Sequence, residues 1–565
     1  MPSHSTSIMN NPPPALFSNC SLGRFETDDP TKNDLENIRA ACWIAASGKS
    51  NGKRHTDGRY YCWLHLPCES KVDESGFKNA LESRLNEKSD KLNLRGAYLP
   101  QKIRLEDLIS GNKSVGIIQR KLFFSFATFR DGLDFSTGTF ENTVSFTKAK
   151  FYNDVDFHKA KFLKSAKFQM ARFFCKSNFG SCVFQGNVEF PHSYFKEEAN
   201  FRGTRFETED VAESNLDTFV DFQKALFAGE AIFEGTTFIS HPTFLDTKFR
   251  GYANFKRIEF AIPSMTITFE DAEFDSIARF SAKDYPEKPD QEWNAQYIRF
   301  MQVYFKEPGN VAFRKVSLCP STFVRTNIKD VEFTDIYWRN INGNSLKKNI
   351  QNEEILYFLP QNSTTSSSPS ESARGDFHRY FLTTCRRLAQ NSEDDTRFID
   401  ASDFRRMAFE LERLTRKAKL REWKSDWETM FRGEVECREL PGRTGTNIEK
   451  AITLIRTAPF DFIHFLYRIL SGYGERWVLA FIWLIIIWLT SGGLYWIFGN
   501  MVKPPFEIAN ALGYSIQVMT FQRPELQNLD FKHSSLFMIT SGFEVTITTI
   551  QIALLALAIR RKFMR

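Results

Sequence analysis

The sequence predicts a multidomain chain that contains a β-solenoid, an α-helical segment and a two-helix transmembrane hairpin. Three observations lead to this prediction. Phenylalanine recurs at alternating steps of five and six residues from residue 124 onward. A Ser-rich stretch then precedes two helical patterns, and two long apolar runs lie near the C-terminus. A chain of 565 residues is also too long for a single hydrophobic core.

Most of the 57 phenylalanines belong to one repeating pattern. The rhythm runs from Phe124 to Phe206 and resumes from Phe222 to Phe260. Neither a helix nor a flat strand has this period, so each step is predicted to be one side of a solenoid coil. A narrow coil also needs small side chains beside the large ones. Alanine supplies them two residues before many ladder positions: Ala149, Ala160, Ala166, Ala171, Ala199, Ala225 and Ala231.

Runs such as VDFHKAKFLKSAKFQMARF and ANFRGTRF resemble the pentapeptide-repeat family. The resemblance implies a right-handed quadrilateral β-helix, a pentapeptide-repeat solenoid, over residues 93–345. The alternation of five and six departs from the strict five-residue pattern of the family. It predicts coils of 22 residues with a bulge or a wider corner on alternate sides. Residues 264–312 are consistent either with a regular coil or with an excursion from the solenoid.

Charge and composition exclude several functions for the solenoid. Residues 121–260 contain eighteen basic and eighteen acidic residues, whereas family members that mimic DNA have acidic surfaces. We therefore expect no nucleic-acid partner and predict a rigid rod whose surface docks a protein partner. The ladder contains only isolated histidines, His158, His192 and His241, and no phosphate loop or nucleophile–base pair is recognisable. The chain is therefore predicted not to be an enzyme.

The N-terminal region, residues 1–92, contains a small Cys/His cluster. Cys42, Cys62, His65 and Cys68 are the candidate ligands of a zinc ion, and His55 lies nearby. The alternative is that the cysteines are buried thiols and that His65 is a hydrogen-bonded core residue. The nine cysteines form no disulfide framework and no secretory signal is visible, so we expect a reducing compartment.

Residues 346–375 are predicted to be a Ser-rich linker, and residues 376–437 a helical segment. The predicted apolar face of the second helix consists of Phe404, Met407, Ala408, Leu411 and Leu414. A basic cluster between residues 413 and 424 is either a solvated face or a contact for anionic lipid headgroups. Residues 450–475 are predicted to be an amphipathic elbow at the membrane interface.

Residues 476–565 are predicted to be the transmembrane hairpin. Residues 477–498 contain no charge, and residues 535–559 form a second apolar run with Glu544 in it. Basic residues precede the first run and follow the second, which predicts two spans with both termini in the cytoplasm. We expect the cell inner membrane as the location.

The second apolar run contains a polar stripe on one helical face: Thr540, Glu544, Thr548 and Gln551. A carboxylate in a membrane is costly unless it faces water, a partner or an ion path, so these residues are candidates for lining a pore. The alternative is that they bond the helices to one another.

Between the two runs, IANALGYSIQVMTF predicts a helix that is too short to cross the membrane. This arrangement resembles the two-transmembrane pore module of tetrameric cation channels, although TFQRPEL stands where a TVGYG-like filter would be. The whole layout resembles bacterial pentapeptide-repeat proteins with a C-terminal two-transmembrane ion-channel-like domain. It implies a homo-oligomer in which a cytoplasmic sensing or docking arm is joined to a channel-like or permeabilising domain. A non-conducting, membrane-tethered interaction scaffold is the alternative.

Overall fold

The computed structural model divides into two compact units, Met1–Arg339 and Asn340–Arg565. It describes residues 52–54, 60–62, 64–65, 74–86, 89–108, 116–207, 219–239, 241–260, 266–282, 297–339, 346–358, 370–431, 465–474, 476–500, 507–522 and 535–563. Within the helix that ends at Phe431, the side chains from residue 417 onward lie outside this description, so most of the basic cluster is outside it.

The first unit is a β-helix with four faces, in which equivalent strands of successive coils pair in parallel. Val144 pairs with Ala166, and Lys150 pairs with Arg172, each 22 residues further along the chain. The predicted coil of 22 residues is therefore confirmed. One coil is longer, because Val188 pairs with Val220.

The strands are short, and each face is a ladder of them. The first face contains Lys91–Asn93, Lys121–Phe123, Val144–Ser145, Ala166–Lys167, Val188–Glu189, Val220–Asp221, Pro242–Thr243, Thr266–Thr268 and Tyr297–Arg299. The second contains Tyr98–Leu99, Thr128–Phe129, Lys150–Phe151, Arg172–Phe173, Tyr194–Phe195, Leu226–Phe227, Lys248–Phe249, Glu273–Phe274 and Tyr304–Phe305. The third contains Ile103–Arg104, Leu133–Asp134, Val155–Asp156, Ser177–Asn178, Ala199–Asn200, Ala231–Ile232, Ala253–Phe260, Ala278–Ala282, Val311–Arg314 and Glu332–Thr334. The fourth contains Ile117–Ile118, Thr139–Phe140, Lys161–Phe162, Val183–Phe184, Arg205–Phe206 and Thr237–Phe238, and it joins the third through Ala253–Phe260.

Smaller elements complete the first unit. Ser317–Leu318 pairs in parallel with Tyr337–Trp338, and Gly52–Arg54 pairs antiparallel with Tyr60–Cys62. The remaining elements are the helices α1 (Glu74–Leu85) and α2 (Leu105–Leu108) and the 3-10 turns Pro308–Asn310 and Pro320–Phe323.

The axis of the β-helix is filled by stacked phenylalanine rings. The centroids of Phe129 and Phe151 are 4.8 Å apart with nearly parallel planes, which matches the spacing of about 4.8 Å between hydrogen-bonded strands. Rings on neighbouring faces meet edge to face, as Phe201 and Phe222 do at 5.4 Å. The seven predicted alanines are completely buried beside these rings. The repeat therefore packs as the sequence predicts.

The turns explain why steps of five and six alternate. In the five-residue step from Phe124 to Phe129, the Ala127 amide donates to the Phe124 carbonyl at 3.1 Å or less, and Phe126 has a φ of 60°. A tight turn with a left-handed third residue thus closes this corner. The six-residue step to Phe135 has a wider bend around residues 130 and 131. The predicted wider corner on alternate sides is therefore present.

The ladder continues through the segment that the sequence left open. Phe269 stacks on Phe244 and on Phe300, with both centroid distances at 4.9 Å. The strand pairing of the first face also continues through this segment. Residues 264–312 therefore contribute regular coils to the β-helix where they are described.

The second unit is helical. Its helices are α3 (Leu346–Phe358), α4 (Glu371–Asp394), α5 (Phe398–Phe431), α6 (Trp477–Asn500), α7 (Ile508–Met519) and α8 (Ser535–Phe563). A short helical stretch at residues 465–471 leads into a turn at residues 472–474. The predicted apolar face of α5 is buried at Phe404, Met407, Ala408 and Leu411, whereas Leu414 is half-buried.

The predicted linker at residues 346–375 is too long. Helix α3 lies within it, because Ile350 supplies a buried apolar anchor in an otherwise polar stretch. Helix α4 also begins there. Ser370, read as part of the Ser-rich linker, is the N-cap of α4, and its hydroxyl accepts a hydrogen bond from the Ala373 amide at 3.2 Å.

Candidate functional site

Two helices of the second unit are long and apolar enough to cross a membrane. The candidate spans are Trp477–Asn500, which is α6, and Met538–Arg560 within α8. Helix α7, which follows α6 in the chain, has only 12 residues and is about 18 Å long. The hydrocarbon core of a bilayer is about 30 Å thick, so α7 is too short to cross it.

Helix α7 packs against the middle of α6. The indole nitrogen of Trp488, at the midpoint of α6, donates to the Leu512 carbonyl at 3.1 Å. The Ser515 hydroxyl donates to the Trp488 carbonyl at 3.3 Å. The two backbones approach closely because Gly492 has no side chain; a Cβ there would lie 2.5 Å from a terminal carbon of Leu512. If α6 spans a bilayer, α7 therefore reaches the depth of its centre.

Glu544 lies where α6, α7 and α8 meet. Its side chain is only 2% exposed. One carboxylate oxygen accepts a hydrogen bond from the Tyr495 hydroxyl of α6 at 2.7 Å, and the other accepts one from the Ser515 hydroxyl of α7. Tyr495 and Ser515 are themselves completely buried. A carboxylate in an apolar unit is stabilised when both oxygens receive hydrogen bonds, so this contact ties the three helices together.

The other three residues of the predicted polar stripe have different surroundings. Gln551 is buried, and its amide nitrogen donates to the Leu470 and Ala480 carbonyls at 3.0 and 2.8 Å. Thr548 is completely buried, and its hydroxyl has no hydrogen bond among the residues described. Thr540 is half-buried. Glu544, Thr548 and Gln551 thus face the interior of a single chain, as the packing alternative describes, and their pore-lining role stays a prediction.

The sequence analysis identified Glu544 but not the residues that contact it. Tyr495 and Ser515 lie on other helices, and the periodicity of α8 carries no information about them. A signal was nonetheless present, because Ser491, Gly492 and Tyr495 form a small polar patch within the otherwise apolar α6. The opposite face of α8 is apolar and exposed at Ile539, Phe543, Ile547 and Ile550, as a lipid-facing surface would be.

The zinc prediction concerns residues that are only partly described. The Nε2 atom of the buried His65 donates to the Arg95 carbonyl at 2.8 Å, which fits the alternative of a hydrogen-bonded core histidine. Cys62 ends a short strand, and Cys42, His55 and Cys68 lie outside the described residues. Among the residues that are described, no three His, Cys, Asp or Glu side chains come together as metal ligands. The zinc site stays a prediction.

A four-faced β-helix and a helical unit with two candidate membrane spans define the class of this protein. A family model described as pentapeptide repeats, present in nine copies, matches residues 146–193. The chain therefore contains a pentapeptide-repeat β-helix. No curated protein and no solved structure matches the sequence.

Proposed function

We propose that this chain is a membrane protein whose helical hairpin assembles into an oligomeric, channel-like or permeabilising unit. In this proposal the pentapeptide-repeat arm lies in the cytoplasm, where it senses or docks a protein partner. The supporting observation is that α7, a half-length helix, packs at the midpoint of α6 and bonds to both Trp488 and Glu544. The chain carries out no catalytic step, and its location is the cell inner membrane.

A half-length helix at this depth is the reason for proposing an oligomer. Backbone groups at the end of such a helix need protein or water around them, because lipid cannot satisfy them. Gln517 and Thr520, near the C-terminal end of α7, are exposed in the single chain. Two spans cannot enclose a water-filled path on their own, so further copies of the chain would cover this end.

Charges around the spans support the proposed orientation. Arg468 and Arg476 precede α6, and Arg560, Arg561 and Lys562 lie at the end of α8. Basic residues next to spans favour the cytoplasmic side, which places both termini there.

The experiment that tests this function measures currents from the purified full-length chain in planar bilayers. We expect discrete currents from the wild type and altered conductance or open probability in Glu544→Gln, since the amide cannot accept both hydrogen bonds that the carboxylate accepts. Asp376→Asn is the matched control, because its carboxylate lies on the surface of α4 and pairs only with Arg379 among the contacts described. It should leave the currents unchanged.

A non-conducting scaffold is the second candidate, and a feature of the β-helix surface favours it. Tyr152 and Phe174 stack outward at 4.8 Å, Tyr194 meets Phe174 edge to face, and the Arg130 guanidinium lies 5.6 Å from the Tyr152 ring. Tyr152 is 37% exposed. Exposed aromatic and arginine side chains are enriched at protein interfaces. The absence of currents from a folded and inserted wild-type chain would favour this function.

A further inference from the structure

A buried carboxylate outside the candidate spans connects α5 to the elbow that precedes α6. Glu410 of α5 has no exposed surface. One of its oxygens lies 2.6 Å from the Arg413 guanidinium and 3.5 Å from that of Arg468 in the elbow. The other accepts a hydrogen bond from the Tyr473 hydroxyl at 3.0 Å. One carboxylate thus binds two elbow residues that are about sixty positions away in sequence.

The elbow ends in a turn whose backbone depends on this contact. Gly472, Tyr473 and Gly474 have φ values of 56°, 65° and 74°, all in the left-handed region. A tyrosine is strained in this conformation and persists there only when its surroundings fix it. Tyr473 is buried, and its ring stacks on Phe409 of α5 at 5.1 Å. Phe409 and Glu410 therefore fix the turn from one side.

Both candidate spans hold the same elbow from the other side. The Trp483 indole of α6 donates to the Ile469 carbonyl at 2.8 Å. Gln551 of α8 donates to the Leu470 carbonyl at 3.0 Å. These two carbonyls are in the last turn of the elbow helix, where carbonyl groups lack partners within the helix. The elbow is thus bonded to α5 and to both spans.

The charges at Glu410 are balanced so that the carboxylate stays ionised. Burial alone would raise its pKa, but the hydrogen bond and charge of Arg413 and the charge of Arg468 hold the pKa below its usual value. Burial and the negative charge of Glu410 raise the pKa of Tyr473, so its hydroxyl keeps its proton. The pair is thus a charge-assisted hydrogen bond, which is stronger than one between neutral groups.

We propose that the Glu410–Tyr473 contact is a latch that couples the position of α5 to both membrane spans. When α5 moves, the turn at residues 472–474 loses its support, and the elbow transmits this to α6 through Trp483 and to α8 through Gln551. Glu410 and Tyr473 are positioning residues in this device. The inference rests on the proposed function, because the movement that the latch controls is the opening of the path between copies.

The first test is hydrogen exchange in the full-length chain in lipid nanodiscs. Glu410→Gln and Tyr473→Phe should each raise exchange several-fold in three places, namely residues 465–474, the first turns of α6 and the region of Gln551. The double variant should exceed neither single variant by much, because both remove one interaction. Glu412→Gln is the matched control, since that residue lies on the same helix and pairs with Arg386 of α4. Unchanged exchange in α4 would show that the helical segment remains folded.

Exchange that rises only within residues 465–474, and not in α6 or α8, would overturn the latch. The companion measurement is the current of the same variants, whose open probability should shift several-fold against Glu412→Gln. Coupled exchange without currents in any variant would support the latch while removing the pore. Wild-type currents with no change in exchange would do the reverse.

Discussion

The hydroxyl of Tyr495 in the first candidate span lies 2.7 Å from the carboxylate of Glu544 in the second. Ser515 of the half-length helix α7 binds the other oxygen of that carboxylate. The polar stripe that the sequence marks on α8 therefore has its partners inside the same chain. If a conducting path exists, Glu544 shapes it by holding three helices in place, and its effect on currents should accompany an effect on stability.

Tyr495→Phe tests this structural role. The substitution keeps the ring and removes the donor, so Glu544 loses one of its two hydrogen bonds in an apolar environment. A buried acceptor left without its partner costs about 1–3 kcal/mol. We expect a loss of this size in the free energy of unfolding of the second unit, measured by denaturation in detergent micelles. Tyr304→Phe on the exposed surface of the β-helix is the control and should have no effect. Equal stability of the two variants would contradict the role.

Neighbouring glycines in α6 provide a matched pair of variants. A Cβ at Gly492 would lie 2.5 Å from a side-chain carbon of Leu512 and 3.4 Å from its Cα, whereas nothing lies within 4 Å of a Cβ at Gly493. Gly492→Leu should therefore push α7 away from α6 and raise hydrogen exchange in residues 508–519 several-fold. Gly493→Leu should leave exchange at the wild-type level. Similar exchange in the two variants would mean that α7 does not pack against α6 as described.

The phenylalanine ladder makes a prediction of a different size. Phe201 is completely buried and stacks on Phe179 and Phe233, at 4.8 Å in both cases. Phe201→Ala leaves a cavity in the middle of the β-helix and should cost about 3–5 kcal/mol in the free energy of unfolding. Phe219→Ala is the control, because Phe219 is 42% exposed and its loss should change stability by about 0.5 kcal/mol or less. Chemical denaturation followed by circular dichroism measures both.

The β-helix could be predicted from the sequence because its repeat fixes every ring by position alone. Phe146 contacts Phe124 and Phe168 since each lies one coil away, and no other information is required. The hairpin lacks such a rule. The spacing of Glu544, Thr548 and Gln551 shows that they share a face, but only packing shows that Tyr495 and Ser515 cover it. Helix α3 was missed because its sequence, LKKNIQNEEILYF, has a weak apolar stripe beside a Ser-rich stretch.

The pH dependence of stability tests whether Glu410 is ionised in the folded chain. Its folded-state pKa is lowered from a reference value of 4.5, since the hydrogen bond and charge of Arg413 and the charge of Arg468 outweigh the effect of burial. A carboxylate with a lowered pKa contributes stability that is present above its unfolded pKa and is lost as pH falls through the folded value. The free energy of unfolding of the second unit should therefore decrease as pH falls below about 4.5, and Glu410→Gln should flatten this slope. Tyr473→Phe removes one hydrogen bond to the carboxylate and should give an intermediate slope. Equal slopes in the wild type and Glu410→Gln would mean that Glu410 is not held ionised by its arginine neighbours, and the charge-assisted bond to Tyr473 would then be absent.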